Sequence, residues 1–458
     1  MKFDFDLLVI GSGSAGFSAA EAARGTGRKI GIVESEKLGG ECPHWACVPT
    51  KALLRSAKAY LGTRAFSDLG IEASDISLDF SRVMNRRKRI VEGLSGGRME
   101  RVAEKLGFDV VQGAATFIDP HTLHVAGREY SAERFIIATG SSTRVPPIPG
   151  INETPWLSYR DAVMLHEKPV SMLVLGGGPV GCEMATIFSA LGIATTLLAN
   201  GEQLLEHDEP EIGTIVKEQL EARGVQVILS AEVVRVGKAV SGVELTARVG
   251  RELKLLSASH LLLATGKSPN TGGLGCQAAG VTLDRFGTVV VNGELRTSQK
   301  HIWAAGDVHG GLLFTHVAHY EGGIAGFNAF AKKPKRYDER VVPHVTFVEP
   351  EAAGVGMTER QAKENVGAVV VGVFQIGALG RAYIDGHRTG LVKLVADKKT
   401  HRVLGGAVVG ERAGEVIHEI ALAVYAKLKV EELAEMIHAY PTYCEAVHAA
   451  ASEVLQNL

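Results

Sequence analysis

Blocks of consecutive apolar residues, rather than alternating ones, mark the first two thirds of the chain. Leu7-Leu8-Val9-Ile10 and Met172-Leu173-Val174-Leu175 each read as a short strand buried on both faces. Each block runs into a glycine loop. The first is Gly11-Ser12-Gly13-Ser14-Ala15-Gly16 and the second Gly176-Gly177-Gly178-Pro179-Val180-Gly181. An Ala-rich helical stretch (17–23) and a strand (29–34) follow the first loop. An amphipathic helix and a strand (195–198) follow the second. The pattern predicts two βαβ units. Ala-Thr-Gly closes both, at 138–140 and 264–266. Helical periodicity covers about 50–60 and 80–106. The proline-rich segment 146–150 continues neither a helix nor a central strand, so a boundary is placed there. Beyond Pro334 the texture changes. Strand-like segments at 342–348, 368–374, 390–396 and 403–409 lead to helices at 413–428 and 431–437, a separate α+β domain.

The chain has 458 residues, enough for two to four domains. Its apolar fraction of 46% and charged fraction of 22% argue against disorder or a fibrous fold. Lys+Arg is 49 against Asp+Glu 51, a balance that calls for neither nucleic acid nor an anionic membrane. No apolar run approaches the roughly 18 residues of a membrane span. The opening, Met1 to Asp6, enters a strand without a basic leader, so no signal peptide is expected. Five cysteines (Cys42, Cys47, Cys182, Cys276, Cys444) are too few for a disulfide scaffold, and the cytoplasm is the expected compartment.

The two loops carry the first chemistry. A helix N-terminus offers unpaired N–H groups and partial positive charge, and glycines let a diphosphate approach closely. Gly11, Gly13 and Gly16 fit that fingerprint. Glu34, 23 residues after Gly11, is placed to hold a ribose hydroxyl. Gly176, Gly178 and Gly181 repeat the fingerprint. The acid position differs there. Ala199 and Asn200 stand where a Glu would favour NADH or an Arg NADPH, so the nicotinamide stays open.

The second chemistry is Cys42-Pro43-His44-Trp45-Ala46-Cys47. In an ordinary helix, residues five apart lie about 8–9 Å apart at Cα, beyond the roughly 7 Å a disulfide tolerates. The thiols meet only if the helix start is distorted, which Pro43 permits. A thiolate near a helix N-terminus is stabilised and reactive.

The segment from Gly39 through Cys42 and Cys47 to Lys51 resembles the redox-active segment of the flavin-dependent class I pyridine nucleotide–disulfide oxidoreductases. Ala304-Ala305-Gly306-Asp307 resembles that family's second FAD motif, and Thr315-His316-Val317-Ala318 the segment under the flavin ring. The resemblance implies an α/β chain with two Rossmann-like dinucleotide-binding domains, glutathione reductase-like, plus a C-terminal α+β dimerisation domain. It implies an FAD-binding domain at 1–149 and 268–335, an NAD(P)-binding domain at 150–267 and an interface domain at 336–458. The implied FAD residues are Gly11, Gly13, Gly16, Glu34, Gly40, Lys51, Thr139, Gly140, Gly306, Asp307 and Ala318. The implied nicotinamide residues are Gly176, Gly178, Gly181, Glu183, Asn200 and Gly266. Cys47 resembles the thiol beside the flavin and Cys42 the interchange thiol that meets substrate. Lys51 and Glu183 resemble an ion pair near flavin N5. A homodimer, a lipoyl-type or other small disulfide or dithiol substrate and no resident metal follow.

The pattern breaks near the C-terminus. The family's His-Pro-Thr-x-x-Glu supplies an acid–base His from the second subunit, oriented by the Glu. This chain reads Tyr440-Pro441-Thr442-Tyr443-Cys444-Glu445. A phenol with an ordinary pKa near 10 is a poor base at pH 7. Tyr440, before Pro441, is expected to be extended. His438 would then share its face, about 6–7 Å along the strand. His438 is read as an interface histidine, with a role as substitute base the sharper alternative. Tyr at 440 resembles mercuric reductases, but the chain's last residues carry no vicinal cysteine pair and no N-terminal metal-binding module is read. Cys444 is read as a small buried hydrophobe, with a third working thiol as the sharper alternative. Cys182 and Cys276 are read as structural, and His44 as solvent-facing as readily as functional. The expected activity is electron transfer between NAD(P)H, FAD, the Cys42–Cys47 pair and a disulfide, dithiol or other thiophilic substrate. A soft-metal reductase, an NAD(P)H oxidase or quinone reductase, and a non-catalytic flavin sensor are the alternatives.

Overall fold

The computed structural model describes residues 2–458; Met1, where the reading of the chain's opening begins, lies outside them. The chain divides into two compact units. One comprises residues up to Thr50, Asn85–Arg144 and Gly266–Asp338; the other comprises Lys51–Met84, Val145–Thr265 and Glu339–Leu458.

In the first unit the strand Phe5–Ile10 lies between Ile30–Glu34 and Arg128–Ile137, parallel to both. Asp109–Gln112 and Ile302–Ala304 extend the parallel sheet at its two sides. Alternate side chains of a strand enter opposite faces. Leu7 and Val9 pack with Ala15, Ala19 and Ala20 of the helix Ser14–Arg24, while Leu8 and Ile10 pack with Phe117, Leu123 and Phe135. Both faces are covered, which is why the sequence shows an unbroken apolar block. The ten-residue strand Arg128–Ile137 changes role along its length, antiparallel to Thr122–Val125 first and parallel to Phe5–Ile10 afterwards.

The helix Ser14–Arg24 packs on the helix Thr315–Asn328 at backbone distance. A Cβ on Gly322 would sit 2.1 Å from the Ala15 carbonyl oxygen, and one on Gly326 the same distance from that of Ala19. Only glycine fits where two backbones meet so closely.

The second unit repeats the βαβ pattern. Gln226–Ile228, Ala194–Leu198, Ser171–Leu175 and His260–Leu263 form a parallel sheet in that order. Its C-terminal part is an antiparallel sheet of His344–Thr346, Glu351–Gly356, Val403–Gly410, Leu391–Asp397 and Val369–Gln375. The helices Ala413–Ala426 and Glu445–Gln456 pack on it through Val416, Ile420, Ala450 and Val454. Among the described residues no helix is long and apolar enough to cross a membrane.

Several expectations needed correction. The helical stretch at 80–106 is two helices, Phe80–Ser95 and Arg98–Leu106, separated where Gly97 turns left-handed at φ 62°. The helix expected at 50–60 runs Cys47–Gly62. A three-stranded antiparallel sheet, Ala231–Ala239, Gly242–Val249 and Glu252–Ala258, is not among the expected elements, although Val243, Leu245 and Ala247 of its middle strand alternate with polar residues; only its edge, where Leu253 and Leu255 point to solvent, departs from that pattern. The strand Glu351–Gly356 is Ala- and Gly-rich and has little β propensity of its own; its neighbours impose it.

Gly322→Ala and Gly326→Ala are each expected to lower holoprotein stability in urea by about 1–3 kcal/mol, the usual cost of overpacking. Gly62→Ala, at a helical position with open space around it, is the control and should change stability by less than about 1 kcal/mol.

Candidate active site

The cysteine segment is distorted as the bridging argument requires. Glu41–His44 forms one short helical turn, Trp45 leaves it at φ −135°, and Cys47 opens the next helix. The amides of Trp45 and Ala46 both donate to the Glu41 carbonyl, at 2.9 and 3.0 Å. This widened turn draws the sulfurs into hydrogen-bond contact, with both cysteines as thiols in this structure. The Cys47 sulfur also lies 3.3 Å from the Thr315 hydroxyl. The hydrogen bond to Cys47 and burial together push the Cys42 thiol well above its ordinary range. His44 is neither solvent-facing nor free: it is buried, with Nε2 2.9 Å from the Leu38 carbonyl oxygen.

The loop ahead of the cysteines is pressed onto the first glycine loop. A Cβ on Gly40, whose φ is 67°, would fall 2.6 Å from the Gly13 Cα. The Ser12 hydroxyl accepts from the Gly39 amide at 3.0 Å and donates to Glu34 at 2.5 Å. Glu34 is buried, and it also accepts from the Ser12 amide at 3.0 Å and the Glu36 amide at 2.8 Å. Its carboxylate thus orders the loop.

Both fingerprints suit a diphosphate. The helices Ser14–Arg24 and Pro179–Ala190 begin at Gly13 and Gly178 with no side-chain cap and no acid in the first turn, and both glycines border open space. Free N–H donors, a helix dipole and room for close approach are what an anionic dinucleotide needs. Gly11 and Gly176 are also constrained by packing: a Cβ on either would meet the carbonyl oxygen of Ala138 or Ala264 at 2.3 or 2.2 Å.

Further residues of the first unit, not among the expected ones, are tied to the expected positions. Ser14 donates to the Thr315 carbonyl at 3.0 Å, tying the loop helix to the Cys47 partner. Ser141 donates to Asp307 at 2.5 Å, and Lys267 lies 3.4 Å from the same carboxylate oxygen. Glu321, 1% exposed, accepts from the Gly306 amide at 2.7 Å and pairs with His309 at 2.9 Å. The only available signal for Glu321 was an acid inside an otherwise small and apolar helical stretch. Gly306 packs on Ala15 and Ala318. Thr139 and Asn270 exchange two hydrogen bonds beside Gly140. Gly266, expected at the nicotinamide, belongs to this first unit and packs on Arg144.

In the second unit Lys51 donates to both carboxylate oxygens of Glu183, at 2.9 and 2.8 Å. The Phe347 amide donates to the same carboxylate at 3.0 Å, and the ammonium lies over the Phe347 ring at 4.6 Å. The buried Glu183 charge is fully compensated, and Lys51 is held in one place. Asn200 is exposed at the end of the strand Ala194–Leu198.

The C-terminal expectations need revision. Residues 436–442 are not a strand, and the Tyr440–Pro441 peptide is cis. Tyr440 and His438 therefore do not share a face. The Tyr440 side chain is 78% exposed, whereas His438 is buried against Glu419 at 2.7 Å. Glu445 accepts from the Thr442 amide at 2.8 Å and opens the last helix. Cys444 is half-buried; burial and the Glu419 charge push its thiol up. Cys182 and Cys276 are buried, and burial raises both thiols.

The sequence profile described as pyridine nucleotide-disulphide oxidoreductase matches residues 5–322, and that of its dimerisation domain matches 342–451. A mercuric reductase from Staphylococcus aureus is 36% identical over 448 residues, covering 98% of this chain and 82% of that protein. A dihydrolipoyl dehydrogenase from Bacillus subtilis (strain 168) is 33% identical over 466 residues, covering 98% of each. The solved Cu(II) complex of the HOCl-induced flavoprotein disulfide reductase RclA from Escherichia coli matches with a TM-score of 0.87 at 29% identity, covering 99% of each chain.

Two outcomes follow from this geometry. Because burial and its bond to Cys47 favour the protonated Cys42, the thiolate fraction at pH 7 is below that of a free cysteine. Iodoacetamide should label Cys42 of the reduced protein slowly at pH 7 and speed up only above pH 9, as read by peptide mass spectrometry. Glu321→Leu, which strips the Gly306 amide and His309 of their acceptor, should lose bound flavin on dilution far faster than the parent, measured by fluorescence release.

Proposed function

The chain belongs to the pyridine nucleotide–disulfide oxidoreductase family, and on that premise we propose that Cys42 and Cys47 hand electrons from NAD(P)H to a thiophilic acceptor, with a soft metal ion preferred over a small disulfide. The protein is an enzyme of the flavoprotein disulfide reductase type and uses FAD and NAD(P)H. It carries the family's dimerisation domain, which supports a homodimer.

Residues 1–149 and 268–335 are assigned to FAD, 150–267 to NAD(P)H and 336–458 to the subunit interface. FAD, held by the first unit, would supply the two-electron chemistry that links the nicotinamide to the sulfur pair. The chain's own residues do the rest. Gly13 and Gly178 present helix N-termini to the two diphosphates, and Glu34 and Asp307 take hydroxyls of FAD. Lys51, one helical turn after Cys47 and fixed by Glu183, supplies a positive charge that stays in place. Thr315 holds the Cys47 sulfur. Cys42 is the exit thiol, and Tyr440 of the partner subunit completes its surroundings. The low cysteine count, five in 458 residues, fits a reducing compartment, and the cytoplasm is assigned on that basis.

One observation carries the preference for a metal ion. The acid–base position is Tyr440, and the imidazole two residues away, His438, is buried on Glu419 within its own unit. A disulfide acceptor needs a proton taken from, and returned to, the exit thiol. A soft metal ion needs no such base, because coordination itself deprotonates a thiol. The protonated, hydrogen-bonded Cys42 fits that order of events. In the balance, NAD(P)H becomes NAD(P)⁺ and a proton while the acceptor gains two electrons. The names of the relatives support both acceptor classes, so disulfide reduction stands as the second reading.

Anaerobic assays with Hg(II), Cu(II), lipoamide and glutathione disulfide decide between the readings. Turnover on a metal ion is expected to exceed turnover on either disulfide. Tyr440→His should raise disulfide turnover at least about tenfold, within the range of general acid–base catalysis, and leave metal reduction within about twofold. Efficient disulfide turnover by the parent, unchanged by that substitution, would refute the proton-transfer argument. Cys42→Ser should abolish acceptor reduction while flavin bleaching by nicotinamide persists. Turnover surviving that change would favour an oxidase or quinone reductase instead.

A further inference from the structure

The strand Ala194–Leu198 and the residues after it form the part of the second βαβ unit where an adenosine ribose is recognised. The charge distribution there is one-sided. From Pro169 to Val216 the chain contains the glycine loop, the helix Pro179–Ala190, the strand and its following loop, without one Lys or Arg. The same 48 residues hold six acids: Glu183, Glu202, Glu206, Asp208, Glu209 and Glu211.

Four of these are committed elsewhere. Glu183 is paired with Lys51, Asp208 with His344 at 2.6 Å, and Glu209 and Glu211 with the buried Lys393 at 3.0 and 2.9 Å. Glu202 and Glu206 are different. Both are exposed, and neither has a hydrogen-bond or ion-pair partner among the described residues. The Glu206 carboxylate folds back over the loop, 3.2 Å from where a Cβ of Gly201 would be, next to Asn200. The loop is held by bonds from the Ser230 amide to the Gly201 carbonyl and from the Leu205 amide to the Gly177 carbonyl, both 2.9 Å. Of the cations on the elements that follow, Lys217 pairs with Glu221 at 2.8 Å and Arg248 with Glu232 at 2.6 Å.

A 2′-phosphate brings nearly two negative charges and needs a guanidinium or ammonium. A 2′-hydroxyl needs only an acceptor, which the Asn200 amide oxygen provides. We infer that this enzyme selects NADH and rejects NADPH, with Asn200 and Glu206 as the specificity-determining residues. The inference rests on the assignment of the second glycine loop to the nicotinamide dinucleotide.

Stopped-flow reduction of the holoenzyme flavin by NADH and by NADPH, without acceptor, tests it. NADH should show a kcat/KM-equivalent at least tenfold higher, the gap residing in affinity and narrowing as salt rises. 2′-AMP should inhibit at least tenfold more weakly than 5′-AMP. Glu206→Gln, an isosteric change at an exposed site, should raise NADPH use severalfold. Asn200→Arg with Glu206→Arg should raise it at least tenfold and lower NADH use, because the 2′-hydroxyl loses its acceptor. Equal or better use of NADPH by the parent, or no response of NADPH use to either variant, would overturn the inference. Failure of both nicotinamides to reduce the flavin would overturn the underlying site assignment instead.

Discussion

The contact between the helices Ser14–Arg24 and Thr315–Asn328 is the constraint on which the thiol site depends. Gly322 and Gly326 bring that second helix against the Ala15 and Ala19 backbone. Three contacts of the thiol site are made by the second helix. Ser14 reaches the Thr315 carbonyl, Thr315 in turn meets the Cys47 sulfur, and Glu321 comes under the Gly306 amide. A wider separation would break the bond that spans the contact, from Ser14 to the Thr315 carbonyl, because hydrogen bonds weaken steeply within a few tenths of an ångström. Packing and chemistry are therefore one problem here: the glycines are needed for the interhelix distance and the distance for the thiol environment.

Electrostatics divides the labour between two kinds of buried group. Glu183 and Glu321 are charges removed from water and compensated in full, one by an ammonium and an amide, the other by an amide and an imidazole. Such groups are costly to leave half-paired, so they hold their neighbours in one arrangement. The thiols are the opposite case. Among the described residues no cation acts on Cys42; its hydrogen bond to Cys47 and its burial both favour the proton. The buried His438 and exposed Tyr440 express the same bias from the C-terminal segment.

The two dinucleotide loops show how similar backbones reach different selectivity. Both start a helix at an uncapped glycine and both leave room for a diphosphate. After the second strand they diverge. Glu34 is buried and bound by three donors, whereas Asn200 is exposed beside unpaired carboxylates. Recognition of the shared diphosphate lies in the backbone, and discrimination lies in the side chains at the strand end.

The order of the glycine loops, the two apolar strand blocks, the cysteine pair and the changed residue at 440 are local facts. Each depends on neighbours within a few positions, so the linear chain specified the nucleotide-binding architecture, the redox pair and the departure from the family pattern. Contacts between distant segments were settled elsewhere. Glu321 beneath Gly306, Thr315 beside Cys47 and the inward turn of His44 and His438 each require knowing which helix packs on which strand. The edge strand Glu252–Ala258 points leucines outward, and Glu351–Gly356 is a strand only because its neighbours hold it there. Short-range patterning encodes which elements form; burial, and the pairing of charges it enforces, is a property of the packed chain and arises only when those elements meet.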